Sequence, residues 1–348
     1  MSTILNDLSC YILPGKASSS KEGIAQTVEA ERIGLGGVWA SERWETKESG
    51  ALLGAMAQAT TNIRLCTGTT HFGTRHPMVL AGMASTLQSL SDGRFEMGIA
   101  RSVAGRWKQI GAPAQTNQSM IDSLDIIKRL WAGQTVSYRG PAGDFPELVF
   151  ADLPEKITPV HLAALGPKTL AVAGKHFDGV ILHPFLTPQG VSNSIKIVHN
   201  AARQAGRNPT DVKIIAAVVV APDLSEQDTN AAVYSRAATY FVHRVMATPI
   251  IKINDWDLSQ LDPIIATGLE DLETQQVSVE VLRAKMIEAS KLIPPQWISE
   301  GAAMGTAQSV AERLAQYKAA GADEILLHGA TADKLEGLAQ AWREMQLS

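Results

Sequence analysis

The stretch VHLAALGPKTLAVAGKHFDGVILH, residues 160–183, decides the fold. It opens with five residues of strand character, turns at Leu165 and Gly166, enters a helix at Pro167 and returns to an apolar strand at Gly179. Strand, short loop, helix and second strand in so little chain make a βαβ unit, and apolar runs of this kind pair in parallel with both faces covered. Proline at 167 suits the first helical turn, where its missing N–H costs nothing.

Outward from this unit the alternation repeats. Apolar runs at 9–13, 37–40, 63–70 and 95–100 precede it, followed in turn by helical periodicity at 21–33, 49–60, 77–90 and 119–131. Residues 160–164 and 179–183 are then the fifth and sixth strands, with helices at 167–174 and 190–205. The seventh, at 212–221, is the most hydrophobic run, and an eighth follows only at 324–328, before a closing helix at 335–345. Eight such units predict an α/β protein, a (β/α)8 TIM barrel, which needs about 250 residues and accepts insertions. No linker or repeat divides the chain, so residues 1–348 are expected to form a single domain.

Two segments break the alternation. Residues 132–158, rich in Gly, Pro and aromatics, predict a small hairpin. Between the seventh and eighth strands lie about a hundred residues, far too many for a connection. A mostly helical insertion at about 225–303 is expected there, much of 228–290 being helical in pattern. Barrel sites lie at the C-terminal strand ends, so this insertion is positioned to cover the site and select the substrate. A packing or dimerisation arm is the other use for it.

The composition excludes several classes of function. The 31 basic and 35 acidic residues, formal charge −4, are scattered, which speaks against nucleic acid as a partner. No run of roughly 20 apolar residues and no leader-like N-terminus occurs, so neither a membrane span nor export is expected. Cys10 and Cys66 sit singly in apolar runs, as reduced core residues of a cytoplasmic protein do. No His-x-x-x-His or Cys-x-x-Cys spacing suggests a metal, and no Gly-x-Ser-x-Gly elbow suggests hydrolysis.

The loop that opens the helix at 167 carries the main functional signal. Leu165, Gly166, Pro167 and Lys168 would turn free backbone donors, a positive helix end and one side-chain charge toward a phosphate. A turn that merely redirects the chain would look the same.

The segment 157–179 resembles luciferase-like oxidoreductases that use the deazaflavin coenzyme F420. AERIGLGGVW at 30–39, SDGRF at 91–95 and LWAG at 130–133 occur in the same order in that family, and the similarity is weakest at 228–296. The resemblance implies a luciferase-like TIM barrel with F420 at its mouth, FMN being the alternative cofactor, and hydride transfer to or from a small organic substrate. It also implies a non-prolyl cis peptide at Gly68-Thr69 against the ring, with Glu42, Arg101 and Ser102 beside the cofactor. Arg75, Arg101 and Arg106 would gather around its phosphate and acidic tail or an anionic substrate. A homodimer formed through the early barrel helices is the implied assembly.

Two positions depart from the sugar-phosphate dehydrogenases of this family. Arg43 stands where they carry a catalytic histidine, and Val103 where they carry an acid. Arginine stays protonated and is a poor base, although it can stabilise an anion. Glucose 6-phosphate oxidation is therefore not expected. His71 and His183, at the ends of the third and sixth strands, are the candidates for moving a proton, with His328 a third. An FMN-dependent monooxygenase and a non-catalytic relative are the competing readings.

Overall fold

In the computed structural model, which describes residues 4–13, 19–42, 47–102, 104–269 and 279–347, eight parallel strands close into a barrel. The strands in chain order are β1 (Leu5–Ile12), β2 (Leu35–Ala40), β3 (Arg64–Thr67), β4 (Phe95–Ile99), a hairpin of β5 (Val136–Gly140) and β6 (Gly143–Leu148), then β7 (Val160–Ala164), β8 (Gly179–Leu182), β9 (Lys213–Pro222), β10 (Ala302–Gly305) and β11 (Glu324–Gly329). Around the barrel the order is β1-β2-β3-β4-β7-β8-β9-β11, and β11 pairs back onto β1. The helices that position the site are α1 (Lys21–Arg32), α2 (Ser49–Ala59), α3 (Pro77–Leu90), α4 (Ala104–Ile110), α5 (Asn117–Trp131), α6 (Pro167–His176) and α7 (Pro188–Gln204).

The predicted barrel and the hairpin at 132–158 are both present. Several boundaries differ. β1 starts at Leu5 rather than 9, because polar Asn6 and Asp7 interrupt a run whose Leu5 and Leu8 are buried. β3 stops at Thr67; the Gly68–Thr69 peptide that follows is cis, as the resemblance implied, and Thr70 makes only an isolated bridge to Ile99. α4 went unpredicted, its seven residues being too few for a periodicity. α5 begins at Asn117, two residues before the predicted start, because Thr116 and Ser119 form a capping box.

The insertion needs the largest correction. Its helices run as far as Pro295–Gly301, but Ala302 then opens β10, four residues, Ala-Ala-Met-Gly, without a β-branched or aromatic side chain to mark a strand. β10 runs parallel to the tip of β9, with Ala302 opposite Val219 and Gly305 opposite Pro222. It takes up the ladder above the point where β8 leaves it at Leu182 and Ala216. The helix Ala307–Ala319 then leads into β11.

Side chains that point to the barrel axis lie in layers, one parity per strand. The lowest layer is charged. Glu324, with no exposure to water, meets Arg64 at 2.8 Å and Lys213 at 2.7 Å and accepts hydrogen bonds from Ser9 and Trp39. Glu96 accepts from Lys213 at 3.3 Å and faces His161 Nε2 at 2.9 Å. Burial alone would raise both carboxyls, but their cationic and hydrogen-bonding neighbours outweigh it and hold both below the ordinary value.

The middle layer is apolar: Trp39, Cys66, Ile181, Ile215 and Leu326. Gly98 on β4 makes room for the indole, since a Cβ there would lie 2.2 Å from the Thr67 carbonyl and 2.9 Å from Trp39. A second, larger core fills the annulus between strands and helices. There the helices pack closely; a Cβ at Gly174 of α6 would lie 2.2 Å from the Val198 carbonyl of α7.

Glu324→Gln keeps the shape of the plug but leaves Arg64 and Lys213 short of an anion, and it should cost about 3 kcal/mol, read as a lower denaturant midpoint at unchanged slope. Because the folded carboxyls titrate below 4.5, the stability they contribute is complete above that value and is lost as pH falls beneath it. Acid should therefore destabilise the native chain more steeply than the variant; equal slopes would contradict the assignment. Burial also pushes the Cys10 thiol up to about 12 and Cys66 well above its usual range. Neither thiol should react with an alkylating reagent until the protein is unfolded.

Candidate functional site

Above the Trp39 layer the inward parity continues to the C-terminal mouth, where a cavity of about 200 Å³ opens. Its walls come from Tyr11 on β1, Thr69 after β3, Ala163 and Leu165 from β7, Ile181 and His183 from β8, Ala217 on β9 and His328 on β11. Tyr240, from the insertion helix Ser235–Phe241, also lines it.

Local contacts fix each polar group. The Tyr11 hydroxyl donates to the Gly68 carbonyl, and its ring stacks on His328 with centroids 4.5 Å apart. His183 Nδ1 lies 2.9 Å from the Pro184 carbonyl, which can only accept. The neutral ring therefore carries its proton on Nδ1 and presents Nε2 as a lone pair. Tyr240 meets the His183 ring edge-on at 4.6 Å. Burial lowers the His183 pKa to about 4, against a smaller upward pull from the Pro184 bond, so the imidazole is neutral at physiological pH.

The loop bearing His183 is tied to the insertion. Asn254 donates to the Phe185 carbonyl at 2.8 Å and accepts from the Thr187 amide at 2.9 Å. Tyr317, on the helix Ala307–Ala319, donates to the Leu186 carbonyl at 2.9 Å. An aromatic cluster of Phe185, Phe241, Trp256 and Trp297 packs behind, the two indoles stacked at 5.4 Å.

At the rim, α6 begins without a side-chain cap. Gly166 is its N-cap in extended conformation, Pro167 is the first helical residue, and Lys168 is exposed. A Cβ added at Gly166 would meet nothing within 4 Å, so the helix end faces open space. Uncapped donors and the positive end of a helix beside open space are suited to an anion. Leu165, one residue earlier, lines the cavity, which joins the rim to the mouth.

A third group sits between the loops after β2 and β3. Glu42 forms an ion pair with Arg75, which also donates to the Thr70 hydroxyl at 2.6 Å and to Glu48 at 2.5 Å. Glu48 in turn caps α2 by accepting from the Gly50 and Ala51 amides. Glu42 and Arg75 thus satisfy each other, rather than standing free for a ligand. His71 lies in the same corner; burial lowers its pKa to about 4, with Glu42 pulling up and Arg75 down.

Of the residues picked from the sequence, the cavity brings together Thr69, Leu165, His183 and His328, with Gly68 joined through Tyr11. Gly166, Pro167 and Lys168 form the rim. His71, Glu42, exposed Arg101 and Ser102 do not line the cavity, and Ser102 takes a left-handed φ of 63°. Arg43 and Val103 lie outside the described residues, as does the Arg106 side chain. Among the described residues no cluster of His, Cys, Asp or Glu could hold a metal ion. Tyr11 and Tyr240 were not anticipated. Alternation along β1 would have found Tyr11, two residues beyond inward Ser9; Tyr240 carries no such signal, since only the tertiary packing of the insertion brings it to the mouth.

The chain matches the model of the luciferase-like monooxygenase family over residues 4–324. It is 27% identical over 188 residues to the 5,10-methylenetetrahydromethanopterin reductase of Methanolobus tindarius, covering 54% of this chain and 57% of that enzyme. It is 31% identical over 191 residues to the F420-dependent glucose-6-phosphate dehydrogenase of Amycolatopsis mediterranei, covering 48% of this chain and 55% of that enzyme. The chain thus spans about half the length of the curated relatives it matches. In fold it is similar to the coenzyme F420 dependent tetrahydromethanopterin reductase from Methanopyrus kandleri, with a TM-score of 0.81, 99% of both chains covered and 17% identity. With a closed barrel of this type and a family match that runs from its first barrel strand to the opening residue of its last, the chain belongs to the luciferase-like monooxygenase family.

Proposed function

We propose that the chain is a cytoplasmic oxidoreductase of 348 residues in one domain that moves a hydride between coenzyme F420 and a small organic substrate. The observation that carries this is the uncapped start of α6 at Gly166, open to an anion, on the rim of a cavity walled by the cis Gly68–Thr69 peptide. Curated relatives with F420-dependent names support the choice of cofactor over FMN. The resemblance adds a homodimer through the early barrel helices.

When bound, the deazaflavin supplies the carbon that accepts or releases the hydride. The residues do the rest. The Leu165, Gly166 and Lys168 amides and the Lys168 ammonium hold the phosphate, with Pro167 fixing the start of the helix that aims them. Gly68 and Thr69 form the wall against the ring, steadied by the Tyr11 bond to the Gly68 carbonyl. Apolar Ala163, Ile181 and Ala217 exclude water from the reacting atoms. We assign Arg101 and Ser102 to the polar side of the cofactor, Glu42 to holding Arg75 beside it, and Arg43 to stabilising developing negative charge. His183, neutral with Nε2 free to accept, takes the substrate's hydroxyl proton as the hydride leaves and returns it from Nε2 to the oxygen in the reverse direction, and His71 is the second candidate for that role.

Titration of the full chain with F420 and with FMN, each oxidised and reduced, tests the assignment by fluorescence and calorimetry. F420 should bind selectively, and Gly166→Asp should weaken it at least about tenfold while leaving Tm unchanged, since the new side chain enters open space. Selective binding of FMN would turn the case to a monooxygenase, and binding of neither to a non-catalytic relative.

The histidines make a second test. With His71 and His183 both lowered to about 4, neither changes charge near neutrality, and turnover should carry no imidazole inflection between about pH 5.5 and 8. A step near 6.5 that vanishes in His183→Gln would contradict this. Stability should show the linkage instead: a depressed histidine contributes fully above 6.5 and the contribution is lost as pH falls toward 4.

A further inference from the structure

A second crevice opens on the rim, away from α6, between the loops that follow β9 and β11. Its volume is about 280 Å³, and its walls include Asp228, Arg236, Gly329, Thr331 and Lys334. Gly329 directly follows His328, so consecutive residues of one strand face the crevice and the reaction cavity. Backbone closes in around it: Gly329 has φ 101°, and a Cβ there would lie 3.1 Å from the Ala232 carbonyl and 3.3 Å from that of Val220.

The charges in the crevice are unbalanced. Arg236, partly buried on the insertion helix Ser235–Phe241, has no ion pair or side-chain hydrogen bond among the described residues. Lys334 comes no nearer than 3.9 Å to the carboxylate of its neighbour Asp333, which the Thr331 hydroxyl already engages. Among the described residues the wall holds one carboxylate, Asp228, which accepts from Ser225 at 3.0 Å and forms no ion pair with Arg236. Two cations from different elements therefore converge on a recess with one engaged counter-charge. β9 and β11 are the seventh and eighth barrel strands, and loops at these positions commonly form phosphate seats in TIM barrels.

We propose that this crevice binds a phosphate group, held by Arg236 and Lys334, as a site separate from the α6 seat and next to the reaction cavity. A guanidinium matches two phosphate oxygens in a forked geometry, while the lysine adds a point charge. The insertion acquires a binding role through Arg236, in addition to roofing the cavity with Tyr240.

The test uses the full chain carrying Gly166→Asp, so that the α6 seat is blocked in every arm and its own success or failure stays a separate matter. Inorganic phosphate is titrated against chloride of equal ionic strength, followed by calorimetry and Tm, with glycerol 3-phosphate as a second probe. Phosphate should bind and raise Tm beyond chloride, and Arg236→Gln should weaken binding by about tenfold, the loss of one charge-assisted pair, without altering Tm in chloride. Tighter binding of the ester would mark the occupant as the phosphate of an organic molecule, and the reverse order free phosphate; either supports the site. Absence of phosphate-specific binding, or affinity that survives Arg236→Gln combined with Lys334→Gln, would overturn it.

Discussion

One carboxylate cut off from water, Glu324, organises the barrel. Its partners come from four other strands, Ser9, Trp39, Arg64 and Lys213 on β1, β2, β3 and β9. Sliding any of those strands by one residue would turn its partner outward and strand the charge in a medium that cannot solvate it. The ion pairs act less as a source of stability than as a register pin. All positions above are counted from that floor: apolar Trp39, Cys66 and Leu326 next, then Tyr11, Ala217 and His328 at the mouth.

The barrel therefore has a charged end and a neutral end. Below, carboxylates are kept ionised by neighbouring cations; above, His183 is kept neutral by burial. A mouth walled by Tyr11, Tyr240 and a neutral His183 over an apolar layer disfavours water there. Among the described residues, charge at this end lies on the rim, at α6, in the Glu42–Arg75 pair and in the crevice beside Gly329, where it can anchor a ligand outside the cavity.

Much of this was legible in the sequence, because eight strands with crossover helices write a strong period-two and period-3.6 alternation, and because Gly166-Pro167 marks a helix start. β10 was not legible: Ala302 to Gly305 is too short to show a period and has no β-branched or aromatic residue, and its strand state comes from pairing with the tip of β9. The ion pair of Glu42 with Arg75 joins residues 33 positions apart, and the packing of Tyr240 on His183 joins a helix of the insertion to the end of β8; neither leaves a local pattern. The charged floor was written as isolated polar residues at strand starts, at Arg64, Glu96, Lys213 and Glu324, which look like ordinary strand boundaries until closure brings them face to face.

The pairing of β10 with β9 has a bearing on how such a protein diversifies. The chain leaves the barrel after Pro222 and returns at Ala302 beside the very strand it left, and the exit is sewn to the return by the Asp223 amide on the Gly305 carbonyl and by the Asp223 carboxylate on the Ala307 amide. A segment whose two ends are already clasped together behaves as a cassette: its interior can lengthen, shrink or be exchanged at only a slowly growing entropic cost, with the eight-stranded scaffold left undisturbed. Recombination or grafting between Asp223 and Gly305 would change what roofs the mouth while inheriting the floor intact, so the cover of the cavity can vary without rebuilding the barrel beneath it.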